Sequence, residues 1–529
     1  MPSRTRVLVA DPVAPQGLAA LERMAAVDIE TGLSPDDLIA RIPGYVGLVV
    51  RSQTRVTREV IEAGRSLVVV GRAGVGVDNI DVTAATERGI LVVNAPQGNT
   101  VAAAEHTVAL LMALARHIPQ ANSSLHQGEW TRKEFVGTEI RGKTLGVIGL
   151  GQIGSEVARR AIGLEMNVIG HDPFIPEDRA RALGVSMVPF EELLSVSDFV
   201  TVHVPLTATN VGLIGAGEIE RMHDGVRLIN VARGGIIDEQ ALADAVRSGK
   251  VAGAAVDVFL EEPPHGSPLL DDPRIILTPH LGASTAEAQE RVILDVADQM
   301  VDVLQGRPAR FSVNAPMLAG ETLSVIGPFM QTAETLGAMA TQLALGQVES
   351  MEISYWGEIA EHDVTPLRAS VIRGLLRPIS NENVNMVNAD LVAHSRGWNI
   401  EERLRPVHDS FVNLIEVQLK TSEDGITVGG TVEHGQAHVV LIDGLDVDIQ
   451  PEPNSFLLAC GNEDRPGMIG KVGTLLGNFD INIRSMQVGR RARRERAIML
   501  IVLDEAPTEI HLEAINSIEG VYNVRLVHL

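Results

Sequence analysis

The sequence predicts an α/β multidomain protein with two doubly wound parallel-sheet lobes, an α+β domain, and a small βαββαβ module at its C-terminal end. Three observations carry this reading. Short β-branched runs alternate with helix-like stretches through the first half of the chain. Hydrophobic residues make up 45% but aromatics only 3%, so Ala, Val, Ile and Leu must build the core, while 50 glycines supply tight turns. A chain of 529 residues also exceeds a single core several times over, since domains run to ~150 residues.

In chain order, RVLVA at Arg6, VGLVVR at Val46, LVVVGRAG at Leu67 and GILVVNAP at Gly89 read as strands of a first parallel sheet. A long apolar helix, VAAAEHTVALLMALARHI, follows with Thr100 as its N-cap and bridges to a second lobe. That lobe holds six strand candidates: TLGVIGL at Thr144, NVIGHDP at Asn167, FVTVHVP at Phe199, RLINVAR at Arg227, GAAVDVF at Gly253 and IILTPH at Ile275. The stretch after His280, beginning LGASTAEAQERVILDVADQMVDVL, reads as a helix returning to the first lobe, and GRPARFSVNAP as an extended linker. Beyond it, LSVIGPFMQTAETLGAMATQLAL and VTPLRASVIRGLLRPI are helix-like, and FVNLIEVQL, GITVGGTVEH and HVVLIDGLDVDI strand-like. From Phe456 the order is strand, helix, two strands, helix, strand, the ferredoxin-like pattern. The expected division is 1–98 with 281–313, 99–280, 314–452 and 453–529.

Lys plus Arg number 44 against 68 for Asp plus Glu, a formal charge of −24, which disfavours a nucleic-acid or anionic-membrane surface. The basic cluster GRRARRER from Gly489 lacks interleaved aromatics and reads as a solvated hairpin turn. Cys460, the one cysteine, permits neither an internal disulfide nor a Cys-based metal cluster, and reads as buried filler in a reducing compartment. MPSRTRVLVADP lacks the apolar segment of a signal peptide, and no stretch approaches a membrane span, so a cytoplasmic location is expected without membrane or metal partners.

Two constellations carry chemistry. GVIGLGQIGSEVA places Gly149, Gly151 and Gly154 as G-x-G-x-x-G between a strand and a helix, the Rossmann-like arrangement in which the helix N-terminus receives a pyrophosphate. Asp172 ends the next strand, where its carboxylate accepts from ribose hydroxyls and repels a 2′-phosphate, so the expected cofactor is NAD. In the same lobe Arg233, Glu262 and His280 follow successive strands. Oxidising a 2-hydroxy acid needs a cation for its carboxylate or carbonyl and a base for the hydroxyl proton, roles that fit Arg233 and His280. Glu262, bonded to the imidazole, would fix its tautomer and favour the imidazolium. Each also has a plainer reading: Arg233 paired with Asp257, Glu262 solvated, His280 capping a helix. His106, His171 and His203 read as packing or surface residues.

The fingerprint, NVARGGIIDEQAL, GAAVDVFLEEPP and LTPHLGAST together resemble the D-isomer-specific 2-hydroxyacid dehydrogenases, and the whole chain resembles their long branch with an intervening and an ACT domain. The resemblance implies NAD-dependent oxidation of 3-phosphoglycerate at the opening of serine synthesis, by a homo-oligomer, a tetramer. It assigns catalysis to Arg233, Glu262 and His280, and cofactor contacts to Gln152, Ile153, Asp172, Val75, Val204, Val231, Ala232, Asp257, Gly282 and Ala283. For an anionic substrate the first lobe offers Arg51, Ser52, Arg72 and the backbone N–H groups of the turn at Gly74, and relatives imply that Arg132 reaches a neighbouring subunit's site. NEDRPGMIGKVGTLLGNFDINI resembles an ACT domain, which implies L-serine as effector at Asp464, Gly467 and Asn482, with Asn462 where relatives often carry His or Tyr. Two alternatives share the fold and the triad. A glyoxylate or hydroxypyruvate reductase usually lacks the long region after Val313, and an NAD-sensing corepressor scaffold lacks an ACT module.

Overall fold

The computed structural model describes residues 5–316, 320–380, 384–451, 455–490 and 494–529. Its first sheet is parallel and five-stranded. Strand Arg6–Val9 is flanked by Ala26–Ile29 on one side and by Gly47–Val50, Val69–Arg72 and Leu91–Asn94 on the other. The edge strand Ala26–Ile29 escaped the sequence reading because AVDI is short and only half-buried. The second sheet is parallel and seven-stranded, in the order Ile275, Val251, Val226, Phe199, Thr144, Asn167, Ser186 by first residue. Its unforeseen member, Ser186–Met187, is too short to show any alternation.

Two helices tie the lobes together. The first, Thr100–Arg116, has Asn99 rather than Thr100 at its N-cap, and it stops at His117, which turns left-handed (φ 53°) before a second helix, Ile118–His126. Thr100 is therefore the first helical residue, and its hydroxyl bonds Gln152 instead. The second, Ala286–Leu304, begins five residues later than the apolar pattern suggested, because Thr285 caps Ala288 and residues 281–285 form a turn. It lays Val292, Ile293, Val296, Ala297 and Met300 on the first sheet. No single described helix is long and apolar enough to cross a membrane.

Past the linker, the helix-like run 323–345 is split at Gly327–Pro328 into Gly320–Ile326 and Phe329–Leu343, as a ring without an N–H dictates. A six-stranded mixed sheet covers these helices and Thr365–Leu376. Strands Val348–Gly357 and Asn399–Arg405 were not foreseen, and HVVLIDGLDVDI is a hairpin of two strands turning at Asp443 and Gly444. The last module is a four-stranded antiparallel sheet in the order Ile483, Arg496, Phe456, Val521 by first residue, with helices Met468–Asn478 and Glu509–Asn516 on one face. Its other face packs Leu457, Ala459, Leu500, Val502 and Val527 into the core of the preceding domain. Cys460 is buried in the module's own core, and that burial pushes its thiol up to about 12. The strands beside GRRARRER pair from Arg490 to Ala497, and residues 491–493 of that cluster lie outside the described residues.

Asn314 fastens the linker to the first sheet by accepting from Val92 N–H (2.8 Å) and donating to the Ile90 carbonyl (2.9 Å) and the Thr86 hydroxyl (3.0 Å). Asn314→Ala leaves buried main-chain groups unpaired, which costs about 1–3 kcal/mol. The expected outcome is a lower urea midpoint for the first lobe and faster proteolysis near Val313; an unchanged midpoint contradicts it.

Candidate active site

Both parallel sheets turn their C-terminal edges toward one cleft of about 300 Å³, where ligands bind in sheets of this kind. The first lobe contributes Arg51 and Ser52, just after Gly47–Val50, and Arg72 with the turn 73–76. The second contributes Ile153, His203, Val204, Val231, Ala232, Arg233, Asp257, His280, Gly282 and Ala283. A larger cavity, about 810 Å³, opens between the third and fourth domains, but none of the candidate catalytic, cofactor, substrate or effector residues lines it.

The three fingerprint glycines serve different ends. Gly149 has φ +88°, and a Cβ there would lie 2.5 Å from the His203 carbonyl oxygen. A Cβ on Gly154 would lie 1.9 Å from the Gly149 oxygen, so its absence seats the helix Gln152–Gly163 on the loop. Gly151, the helix N-cap, has nothing within 4 Å of its Cβ position. That open space beside unpaired helix N–H groups is what a pyrophosphate requires. Asp172 accepts from Leu150 N–H (2.8 Å) and Phe174 N–H (2.9 Å), which fixes the carboxylate against the loop. Gln152 is exposed and accepts from Thr100. Burial pushes His203 down to about 4, so it lies neutral beneath the loop with Nε2 3.0 Å from the Thr201 hydroxyl.

His280 and Glu262 meet: Nδ1 stands 2.9 and 3.1 Å from the two carboxylate oxygens. The shared proton sits on Nδ1, and Nε2 is left for the cleft. Burial alone would raise the Glu262 carboxyl, but the bond and charge of His280 and the Phe259 N–H outweigh it and hold it below the usual range. Arg233 does not pair with Asp257. Its Nε donates to Asp78 (3.2 Å) and its Nη1 to the Ala232 carbonyl (2.7 Å). Asp257 is unavailable to it because its fully buried carboxylate accepts from Thr278, Leu281 and Gly282, so it stands behind the cleft wall with both oxygens engaged. His106, read from the sequence as a packing residue, reaches this carboxylate too. Its one sequence signal was position, two turns from Asn99 on a helix otherwise apolar on that face.

Three guanidinium groups line the cleft. Burial, and then the charge of Arg233, lower Arg72 to about 10, which leaves it protonated at neutral pH, and its buried Nε has no partner among the described residues. Gly74 and Gly76 make room: a Cβ would meet the Arg72 guanidinium at 1.7 Å and that of Arg233 at 2.1 Å. The N–H of Gly74 is not free for a ligand, because it closes a turn onto the Arg72 carbonyl (2.8 Å). The Arg51 loop is held by Asp11, another residue missed in sequence, which accepts from Arg51 N–H (2.5 Å) and the Thr54 hydroxyl (2.6 Å). Arg132 lies on an exposed 3-10 turn outside this cleft.

Among the described residues the effector candidates make separate contacts. Asp464 accepts from Arg494 N–H (2.9 Å) and Arg490 (2.8 Å), which hold its carboxyl low. Asn482 donates to Asp504 (2.6 Å), and Asn462 is buried with its Oδ1 unpartnered among the described residues. Gly467, at φ +92°, opens the helix Met468–Asn478 beside a shallow groove.

Two lobes, a dinucleotide loop and a His–Glu pair at the cleft between them define an NAD-dependent 2-hydroxyacid dehydrogenase, and comparison with known proteins agrees. Residues 108–282 match the D-isomer specific 2-hydroxyacid dehydrogenase NAD binding domain, 325–443 the D-3-phosphoglycerate dehydrogenase intervening domain, and 456–520 the ACT domain. Among solved structures, a glyoxylate reductase from Paecilomyes thermophila (32% identity, TM-score 0.55) covers 59% of this chain and 99% of its own. A D-lactate dehydrogenase from Aquifex aeolicus complexed with NAD and lactic acid (27%, TM-score 0.52) covers 57% and 96%. Over nearly full length, the chain is 44% identical to D-3-phosphoglycerate dehydrogenase of Synechocystis (99% of this chain, 95% of the relative) and 40% identical to that of Bacillus subtilis (99% of each). The chain belongs to the D-3-phosphoglycerate dehydrogenase family.

The glycine geometry separates folding from binding. Gly154→Ala forces the helix off the loop and is expected to lower the thermal midpoint, by about 1–3 kcal/mol of stability. Gly151→Ala is expected to leave that midpoint unchanged while weakening NADH at least about tenfold. Calorimetry and NADH fluorescence titration read the two, and equal effects in both would refute the assignment.

Proposed function

We propose that this chain oxidises 3-phospho-D-glycerate to 3-phosphohydroxypyruvate with NAD, the first committed reaction toward L-serine. The observation that carries the reading is the meeting of the His280–Glu262 pair with three arginines in one cleft of a protein of charge −24. Bound NAD accepts the C2 hydride. Gly149, Gly151, Gly154, Gln152, Ile153 and Asp172 would hold its diphosphate and ribose ends, and Val75, Val204, Val231, Ala232, Gly282 and Ala283 would flank the remainder, with Asp257 supporting Gly282 from behind. His280 takes the C2 hydroxyl proton on Nε2 as the carbonyl forms, and Glu262 stabilises the resulting imidazolium through Nδ1. Arg233 orients the substrate carboxylate, while Arg51, Ser52 and Arg72 receive the phosphate. An anion satisfies the unpartnered Arg72 Nε and offsets the crowding of like charges.

The reading extends to a cytoplasmic homotetramer in which Arg132 serves a neighbouring subunit's cleft. L-serine then binds where two ACT modules meet edge to edge, at Asn462, Asp464, Gly467 and Asn482. Supporting this are the exposed position of Arg132 and the groove at Gly467, where the helix Met468–Asn478 begins. The long regulatory region, which accounts for much of the chain, disfavours the reductase and corepressor alternatives.

His280→Ala is expected to lower kcat about 10² to 10⁴-fold with NADH affinity within about twofold, measured by NADH consumption with 3-phosphohydroxypyruvate and by fluorescence titration. A kcat loss under about fivefold sinks the acid–base role. Millimolar L-serine is expected to inhibit the intact enzyme and to release heat on binding. Neither effect, in assay and calorimeter together, would leave the module as an assembly element.

A further inference from the structure

Behind His280 lies a buried polar knot that the proposed chemistry does not use directly. The Asp257 carboxylate, fully buried, accepts from the Thr278 hydroxyl (2.5 Å), Leu281 N–H (2.7 Å) and Gly282 N–H (2.9 Å), and the Asp257 carbonyl accepts from His280 N–H (2.9 Å). Segment 278–282 is thus pinned on both sides of His280, whose own φ of +54° is a left-handed conformation that a non-glycine residue keeps only when its surroundings impose it. One further donor reaches the knot from outside the segment. His106, on the helix joining the lobes, sets Nε2 3.2 Å from both Asp257 Oδ1 and Thr278 Oγ1. Proton accounting assigns its state. Thr278 gives its proton to Asp257, so both atoms facing Nε2 are acceptors, and Nε2 must carry a hydrogen shared between them. Asn99 and Ala103 of the same helix line the cleft, and His106, further along it, meets the knot at Asp257 and Thr278.

We propose that His106 is a positioning residue for the reaction: through Asp257 and Thr278 it locks segment 278–282 so that His280 stays aimed at both Glu262 and the substrate. The inference rests on the acid–base reading of His280. Losing the donor leaves a buried carboxylate one partner short and frees the segment to shift. Displacements on the order of 1 Å at a reacting group cost up to ~100-fold in rate.

The test compares His106→Phe, which keeps a ring and removes the donor, with His106→Gln, which keeps a donor, in the full-length enzyme. For His106→Phe, kcat with saturating 3-phosphohydroxypyruvate is expected to fall about tenfold to a hundredfold, while the NADH dissociation constant moves less than about threefold; His106→Gln recovers most of the loss. A kcat for His106→Phe within about twofold of wild type, or an NADH affinity that falls by the same factor as kcat, overturns the proposal. Should His106→Phe not fold, Thr278→Val in the same two assays decides by the same criteria. His280→Ala run alongside separates the two readings: retained activity there refutes the acid–base role itself, whereas its loss together with an unaffected His106→Phe refutes only the positioning role.

Discussion

The site exists because the chain crosses between its two lobes twice. Parallel sheets bind ligands at their C-terminal edges, and a cleft forms only if two such edges are made to oppose. The helix Thr100–Arg116 carries the chain out and buries Leu110, Leu111 and Leu114 in the second lobe. The helix Ala286–Leu304 brings it back onto the first, where Gln299 donates to the Asn94 carbonyl (2.9 Å) and accepts from Phe311 N–H (2.7 Å). The return depends on glycines in the first sheet. A Cβ on Gly71 would strike Met300 and Val296 at 2.5 Å, and one on Gly47 would meet Met300 at 2.9 Å. The same helices bound the segment bearing His280, so the placement of that residue follows from how the lobes are joined.

Electrostatics then specialises the cleft. An acidic protein repels small anions at long range, and the three inward arginines reverse this locally. Their mutual repulsion is relieved in part by Asp78, which holds Arg233. Asp11 and Asp257 act differently, because both are buried and accept main-chain N–H groups, fixing the loops that present Arg51 and His280. Carboxylates therefore do more here to shape the backbone than to neutralise charge.

The third and fourth domains share a core, since one face of the ACT sheet is buried with residues of the preceding domain. The pair is tied to the first lobe at two points: Asn385, in the third domain, donates to the Gly89 carbonyl (2.7 Å), and Asn314, in the linker, grips the first sheet.

Local pattern was enough for much of this. G-x-G-x-x-G, the polar residues following strands, and the alternation of apolar runs are short-range signals, and they marked Gly149, Gly151, Gly154, Asp172, Arg233, Glu262 and His280 as candidates and identified the doubly wound class. Short edge strands such as Ser186–Met187 left no such mark, and helix ends slipped where side-chain capping decided them, as at Thr285. What only the tertiary structure decided were pairings between residues far apart in sequence. Arg233 chose Asp78 over Asp257, Gly74 closed a turn onto Arg72 rather than facing a ligand, His106 met Asp257, and Asp11 met the Arg51 N–H. The physical reason is the same in each: a polar group pairs with whichever partners the packed backbone brings within reach, and which partners arrive depends on the fold of the whole chain.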